Sequence, residues 1–230
     1  MNKQKLSLLI PILLITLTLL SSCGALEYSY NEDNASSKTE DGALIWSCDI
    51  RYPFFKGGKI SDKLNASLDT VLREYRANAM SYQAEADEMH AMGSIAPYEF
   101  DLDAEVTLFD EKYISIRFTD YTYLGGAHGS TAVAGAIYDA ESGERILPED
   151  ILGVSGIELM TAVSEELAAM IEASPDEFYP DAPELIETVL LKGISCYIEG
   201  NELVFPIQEY EIAPYAAGVI YVRIALDSQG

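Results

Sequence analysis

The order of patterns along the chain predicts an α+β fold, an antiparallel sheet built from hairpins and packed against a long amphipathic helix and a second helical segment. Three observations carry it. Apolar residues recur at spacings of three and four from Ile60 to Met89. Alternating stretches at 98–108, 112–123 and 131–138 follow one another across short turns. A second amphipathic run at 157–173 then precedes another pair of short strand-like stretches. Strands joined as hairpins, with helices between the blocks, do not have the regular strand-helix alternation of a parallel sheet.

The N-terminus reads as an address. Lys3 and Lys5 form a short basic region, residues 6–20 an apolar one, and Leu20-Ser21-Ser22-Cys23 closes it, so residues 1–22 are expected to be an export signal. The Leu-Ser-Ser-Cys ending resembles the lipobox of bacterial lipoproteins, which implies that Cys23 becomes the lipidated first residue and that the protein is held at the outer face of a bacterial membrane. Residues 23–42 are polar, acidic and without periodicity, and are expected to be a disordered tether. The folded part is then expected as an N-terminal subdomain over 43–109 and a C-terminal subdomain over 110–230.

Residues 43–52 have strand composition, and Pro53 is expected to end them. Ile60, Leu64, Leu68, Val71, Leu72, Tyr75, Ala79, Tyr82, Ala86 and Met89 mark one face of a helix that should lie across the sheet, with His90 at its end, where a cation suits the helix dipole. The alternating stretches follow, Asp110-Glu111 making the first turn between them. After an acidic turn at 139–143 come a short helical segment at 146–152, the helix at 157–173 and another short helix at 183–191, separated by Pro175, Pro180 and Pro183. Residues 194–198 and 202–207 form a hairpin, and a loop at 208–218 leads to the last strand, 219–226.

Unusual residues concentrate in the turn between the second and third alternating stretches. Gly125 and Gly126 both accept a positive φ, Tyr121 and Tyr123 precede them, and His128 follows. With Tyr210, Pro214 and Tyr215 from the 208–218 loop, these are the expected ligand-binding residues; a purely structural hairpin tip, with His128 hydrogen-bonded to a backbone carbonyl, is the competing explanation. No G-x-S-x-G, HExxH or CxxC is present, and the two histidines lie far apart, so no catalytic residue, metal or cofactor is expected. The enzymatic alternative would use His128 with a carboxylate to act on peptidoglycan. Cys48 and Cys196 sit in strand-like stretches of an exported chain, compatible with a disulfide or with two separately buried thiols.

Removal of residues 1–22 takes away Lys3 and Lys5, lowering the formal charge from −24 to −26. Such a charge disfavours nucleic acid and anionic lipid surfaces and is the complement of a basic macromolecule.

Four separated stretches share one family pattern: Ile50-Arg-Tyr-Pro53, YTYLGGAHG at 121–129, IYDAESGERILPEDIL at 137–152 and PIQEYEIAPYAAG at 206–218. Together they resemble the paired domains of unknown function that form the extracytoplasmic part of RsiV-type anti-sigma factors, and that also occur beside some peptidoglycan deacetylase domains and in stand-alone lipoproteins. In RsiV-type proteins this region binds lysozyme. The resemblance implies a lipid-anchored binding protein whose ligand is a basic protein such as lysozyme or a cell-wall polymer. The chain shows no sigma-binding segment and no hydrophobic stretch beyond the expected signal, so an anti-sigma role is not expected, and deacetylase chemistry belongs to a different domain.

Overall fold

The computed structural model describes residues 24–94, 96–193 and 195–226; the expected signal and the expected lipidation at Cys23 lie outside them. The chain is α+β, with two sheets and two helical blocks. The first sheet contains β1 (Glu27–Lys38), β2 (Leu44–Lys56), β3 (Tyr98–Phe109), β4 (Tyr113–Leu124) and β5 (Ser130–Asp139), in that spatial order. Its pairs are antiparallel except β2 with β3, which is parallel. A parallel neighbour cannot be reached by a hairpin, and here the connection is a crossover through α1 (Ser61–Ser81) and α2 (Gln83–Ala91). One pair in the sheet is therefore parallel, where the sequence predicts an antiparallel sheet throughout.

Most of the expected tether is strand. Residues 27–38 pair with β2 along nearly its whole length, Glu27 facing Lys56 and Ser37 facing Trp46. An edge strand can be polar because its stability comes from main-chain pairing and few anchors. In β1 the anchors are Tyr28, 5.2 Å from the Phe109 ring, and Tyr30, over which the Arg51 guanidinium lies at 3.6 Å. Pro53 does not end β2. The partner β3 stops pairing at Arg51, so at Pro53 only β1 remains alongside.

The long helical stripe is broken in two. Trp46 donates its indole N–H to the Ala79 carbonyl at 2.9 Å, and the Tyr82 N–H also turns to that carbonyl, which ends the regular i to i−4 ladder between α1 and α2. Leu64, Leu68, Leu72, Ala79 and Ala86 bury against Trp46, Cys48, Ile50, Phe100, Leu102 and Ile116 of the sheet. Val71 and Met89, expected on the buried stripe, are exposed at its margins.

The second block contains α3 (Pro148–Leu152), α4 (Gly156–Ala173), α5 (Ala182–Leu191) and an antiparallel sheet β6 (Tyr197–Glu199), β7 (Glu202–Ile207) and β8 (Ile220–Ala225). A capping box starts α4: Ser155 Oγ accepts from the Glu158 N–H and the Glu158 carboxylate accepts from the Ser155 N–H. Leu159, Val163, Leu167 and Ile171 of α4 then join Ile186, Leu190, Leu203, Phe205 and Val222 in a second core.

This block docks on the sheet face opposite α1, at β4 and β5. Gly135 meets the main chain of Cys196 and Tyr197. The buried Ser115 hydroxyl accepts from the Ile198 N–H at 2.7 Å, and Ile137 of β5 belongs to the second core. Arg117 is ion-paired with Glu105 and with Glu199, its guanidinium near the Tyr197 ring. The subdomain boundary expected at 109/110 thus falls within the β3–β4 hairpin of one sheet. Cys48 and Cys196 are free and buried in different cores, the second of the two arrangements left open by the sequence; burial pushes the thiols up to about 11 and about 12.

Candidate ligand-binding site

The glycine turn closes between Leu124 and Ser130. Gly125 has φ +73°, which favours glycine; Gly126, expected to share that conformation, does not have a positive φ. Tyr123 donates its hydroxyl to the Gly126 carbonyl at 2.9 Å, folding the tip back on its own strand. Gly129 is required by a close approach: a Cβ there would lie 2.3 Å from the Tyr121 ring. His128 is exposed, with Nδ1 2.8 Å from the Gly129 carbonyl oxygen. A carbonyl only accepts, so Nδ1 is a donor, which in the neutral ring leaves Nε2 as the acceptor. Tyr210 meets that requirement, its hydroxyl 3.3 Å from Nε2.

Tyr210 arrives from the 208–218 loop, which is fastened to the free edge of β5 by its first residues. The Gln208 side-chain amide accepts from the Val133 N–H at 2.9 Å and donates to the Val133 carbonyl at 2.8 Å, standing in for a neighbouring strand. Glu209 accepts from the Ser130 hydroxyl and the Thr131 N–H, both at 3.1 Å. Glu211 accepts from the Gln208 N–H and from Lys192 Nζ. Between these anchors Tyr210 takes φ +65°, the one non-glycine residue with a positive φ among the described residues.

The result is a cluster of three rings. His128 stacks on Tyr215 with centroids 3.8 Å apart and planes 18° apart, and Tyr210 lies 5.9 Å from Tyr215 at 25°. Burial first, then the charge of Glu99 and the proximity of Tyr215, raise the Tyr121 hydroxyl above the usual tyrosine range. His128, Tyr210 and Tyr215 are therefore brought together, Tyr121 adjoins them through Gly129, Tyr123 and the two glycines shape the tip, and Pro214 is exposed ahead of Tyr215. Gln208 and Glu209, which hold the cluster, were not singled out by the sequence; an amide and a carboxylate inside a polar loop carry no local sign of a strand-edge partner.

Beyond Tyr121 the sheet face left uncovered by the second block forms a groove of about 450 Å³, lined among others by Glu32, Asp49, Arg51, Asp101 and Asp103. Arg51 is committed to Asp103 at 2.7 Å. Burial, then the negative charges of Asp49, Glu99 and Asp120, push the Asp101 carboxyl above the usual range. Among the described residues no carboxylate is hydrogen-bonded to His128 and no group of three or more His, Cys, Asp or Glu side chains is placed to hold a metal ion.

Residues 39–131 match the family model described as Deacetylase PdaC, and residues 157–227 match the one described as Protein of unknown function (DUF3298). The chain is thus similar to two domain families placed in tandem. The ring cluster bridges them, His128 lying in the first match and Tyr210 and Tyr215 in the second. Over 90 residues, 39% of its length, the chain is 26% identical to the peptidoglycan-N-acetylmuramic acid deacetylase PdaC of Bacillus subtilis (strain 168), of which it spans only 18%. Two crystal structures show the same fold. A DUF3298 family member from Bacteroides fragilis NCTC 9343 has TM-score 0.56 at 19% identity, with 88% of this chain and 91% of that one covered. A DUF3298 family protein from Pseudomonas aeruginosa PAO1 has TM-score 0.53 at 19% identity, with 88% and 92% covered.

Proposed function

We propose that this protein is a non-enzymatic, lipid-anchored binding protein of the bacterial cell envelope that engages an extracytoplasmic partner through the 121–129 turn and the 208–218 loop. The observation that carries the proposal is the cluster of exposed His128 and Tyr210 with half-buried Tyr215, assembled from two distant loops. Both His128 ring nitrogens are engaged, one by a carbonyl and one by a hydroxyl, an arrangement that orients a ring for contact. The lipobox supplies the address, and the four motif stretches resembling the lysozyme-binding region of RsiV-type proteins support a basic protein such as lysozyme as partner, a wall polymer being the other ligand class. An acidic groove beside the rings suits the former.

Titration of the purified chain with lysozyme, and pull-down on purified wall material, test this. Binding to one of the two is expected, weakened about tenfold in His128→Ala by loss of one stacked ring. A second basic protein of similar charge controls for charge attraction. Failure with both partners at low and moderate salt would remove the proposal.

A second reading, an enzyme or accessory module acting on peptidoglycan, is favoured by the match to the PdaC model. It requires His128 to work with a carboxylate. The nearby Glu209 already accepts two hydrogen bonds from Ser130 and Thr131, so the geometry supports the binding function better.

A further inference from the structure

We infer that the His128, Tyr215 and Tyr210 cluster is a stacking platform for a hexopyranose unit of a glycan, neutral or amine-bearing. This rests on the binding function proposed above and concerns the second of its two ligand classes, the wall polymer. The three rings are a preformed unit: two planes lie within 18° and 25° of the third, and the Tyr210 hydroxyl meets the edge of His128. Flat aromatic faces carry negative electrostatic potential, and one face of a pyranose presents C–H groups of the opposite sign with an apolar surface to bury.

The backbone of Tyr210 is the independent observation. A side chain at φ +65° costs about 1 kcal/mol, which glycine would avoid. The flanking anchors hold this backbone, and the Tyr210 ring that it presents remains 51% exposed. Strain held at an exposed aromatic is the mark of a contact residue rather than a core one.

The surrounding charge narrows the ligand. Asp49, Asp101 and Glu32 line the groove that begins at Tyr121, and the whole chain carries a formal charge of −24. Phosphate-linked or uronic-acid polymers would be repelled, whereas an N-acetylhexosamine unit meets no penalty and a free amine would be attracted.

The test is a titration of the purified chain with a β-1,4-linked N-acetylglucosamine tetramer, its de-N-acetylated counterpart and polygalacturonate, followed by shifts in the aromatic NMR signals. Binding is expected for at least one hexosamine tetramer and not for polygalacturonate. Tyr210→Gly is expected to weaken it about tenfold, the size of one lost ring contact, while Tyr210→Phe keeps it within about twofold. Glycine takes the positive φ without strain, and thermal melting of Tyr210→Gly beside the parent separates a loss of binding from a loss of folding. Failure of both hexosamine tetramers, equal binding of polygalacturonate, or undiminished binding by Tyr210→Gly would each overturn the inference. A chain that binds lysozyme but neither tetramer would retain the proposed function and lose only this ligand class; one that binds neither lysozyme, wall material nor tetramers would lose both.

Discussion

Gly135→Ala is expected to destabilise the protein by about 3 kcal/mol, a large effect for the addition of one methyl group. Gly135 lies in the middle of β5 with no positive φ, so the reason for glycine is space rather than backbone conformation. A Cβ would stand 2.1 Å from the Cys196 carbonyl oxygen, 2.3 Å from its carbon and 2.7 Å from the Tyr197 nitrogen. All three are main-chain atoms of the segment entering β6, and none can rotate away. Relief requires the second block to lift from the first sheet, which would also strain the contacts of Gly135 itself, whose N–H donates to Ser195 Oγ and whose carbonyl accepts from Arg145. Urea unfolding followed by tryptophan fluorescence measures the effect. The single tryptophan, Trp46, lies in the first core, so loss of near-ultraviolet tyrosine signal from the second block ahead of the Trp46 transition would show undocking directly. A variant as stable as the parent would contradict the docking of the second block on β5 through Gly135. Gly135 touches none of the three rings, yet its substitution should also abolish ligand binding, because the second block carries two of them.

The second large effect is expected at Ser115. Its side chain is wholly buried; Thr107 lies within hydrogen-bond distance of its hydroxyl at 2.9 Å, and the Ile198 N–H donates to it at 2.7 Å. Alanine fits the space but leaves the Ile198 N–H without a partner between two sheets. An unmet buried donor costs about 1–3 kcal/mol, compared with about 1 kcal/mol for an ordinary hydrogen bond. Ser115→Ala should therefore shift the urea midpoint to lower concentration with unchanged slope and speed hydrogen exchange at the Ile198 amide. An unaltered midpoint would mean that the hydroxyl does not bind β6 to the first sheet.

These two residues also show where sequence patterns stop. The alternation of Phe100, Leu102 and Ala104 and the spacing of Leu64, Leu68 and Leu72 are local consequences of burial, and they make β3 and α1 legible in the sequence. Gly135 and Ser115 satisfy partners about 60 and 83 residues away, and nothing near them in the chain announces those partners. The same limit hid β1, whose polar residues resemble a tether because its order comes from main-chain pairing with β2. It hid the helix break as well, since the cause is Trp46, 33 residues before the carbonyl it takes from the ladder. At the site, His128, Tyr210 and Tyr215 were visible as unusual residues on two loops. Their stacking was not, because it depends on Gln208 and Glu209 gripping the edge of β5.

Two distant loops form one binding site, and hydrogen exchange measured with and without ligand tests this most directly. With lysozyme, a hexosamine tetramer or wall fragments at saturating concentration, amides of the 121–131 and 208–218 segments should gain protection together, while those of α4 and α5 should not change. Protection confined to one loop, or appearing instead over Ile157 and Leu191, which are exposed apolar residues of α4 and α5, would place the site elsewhere.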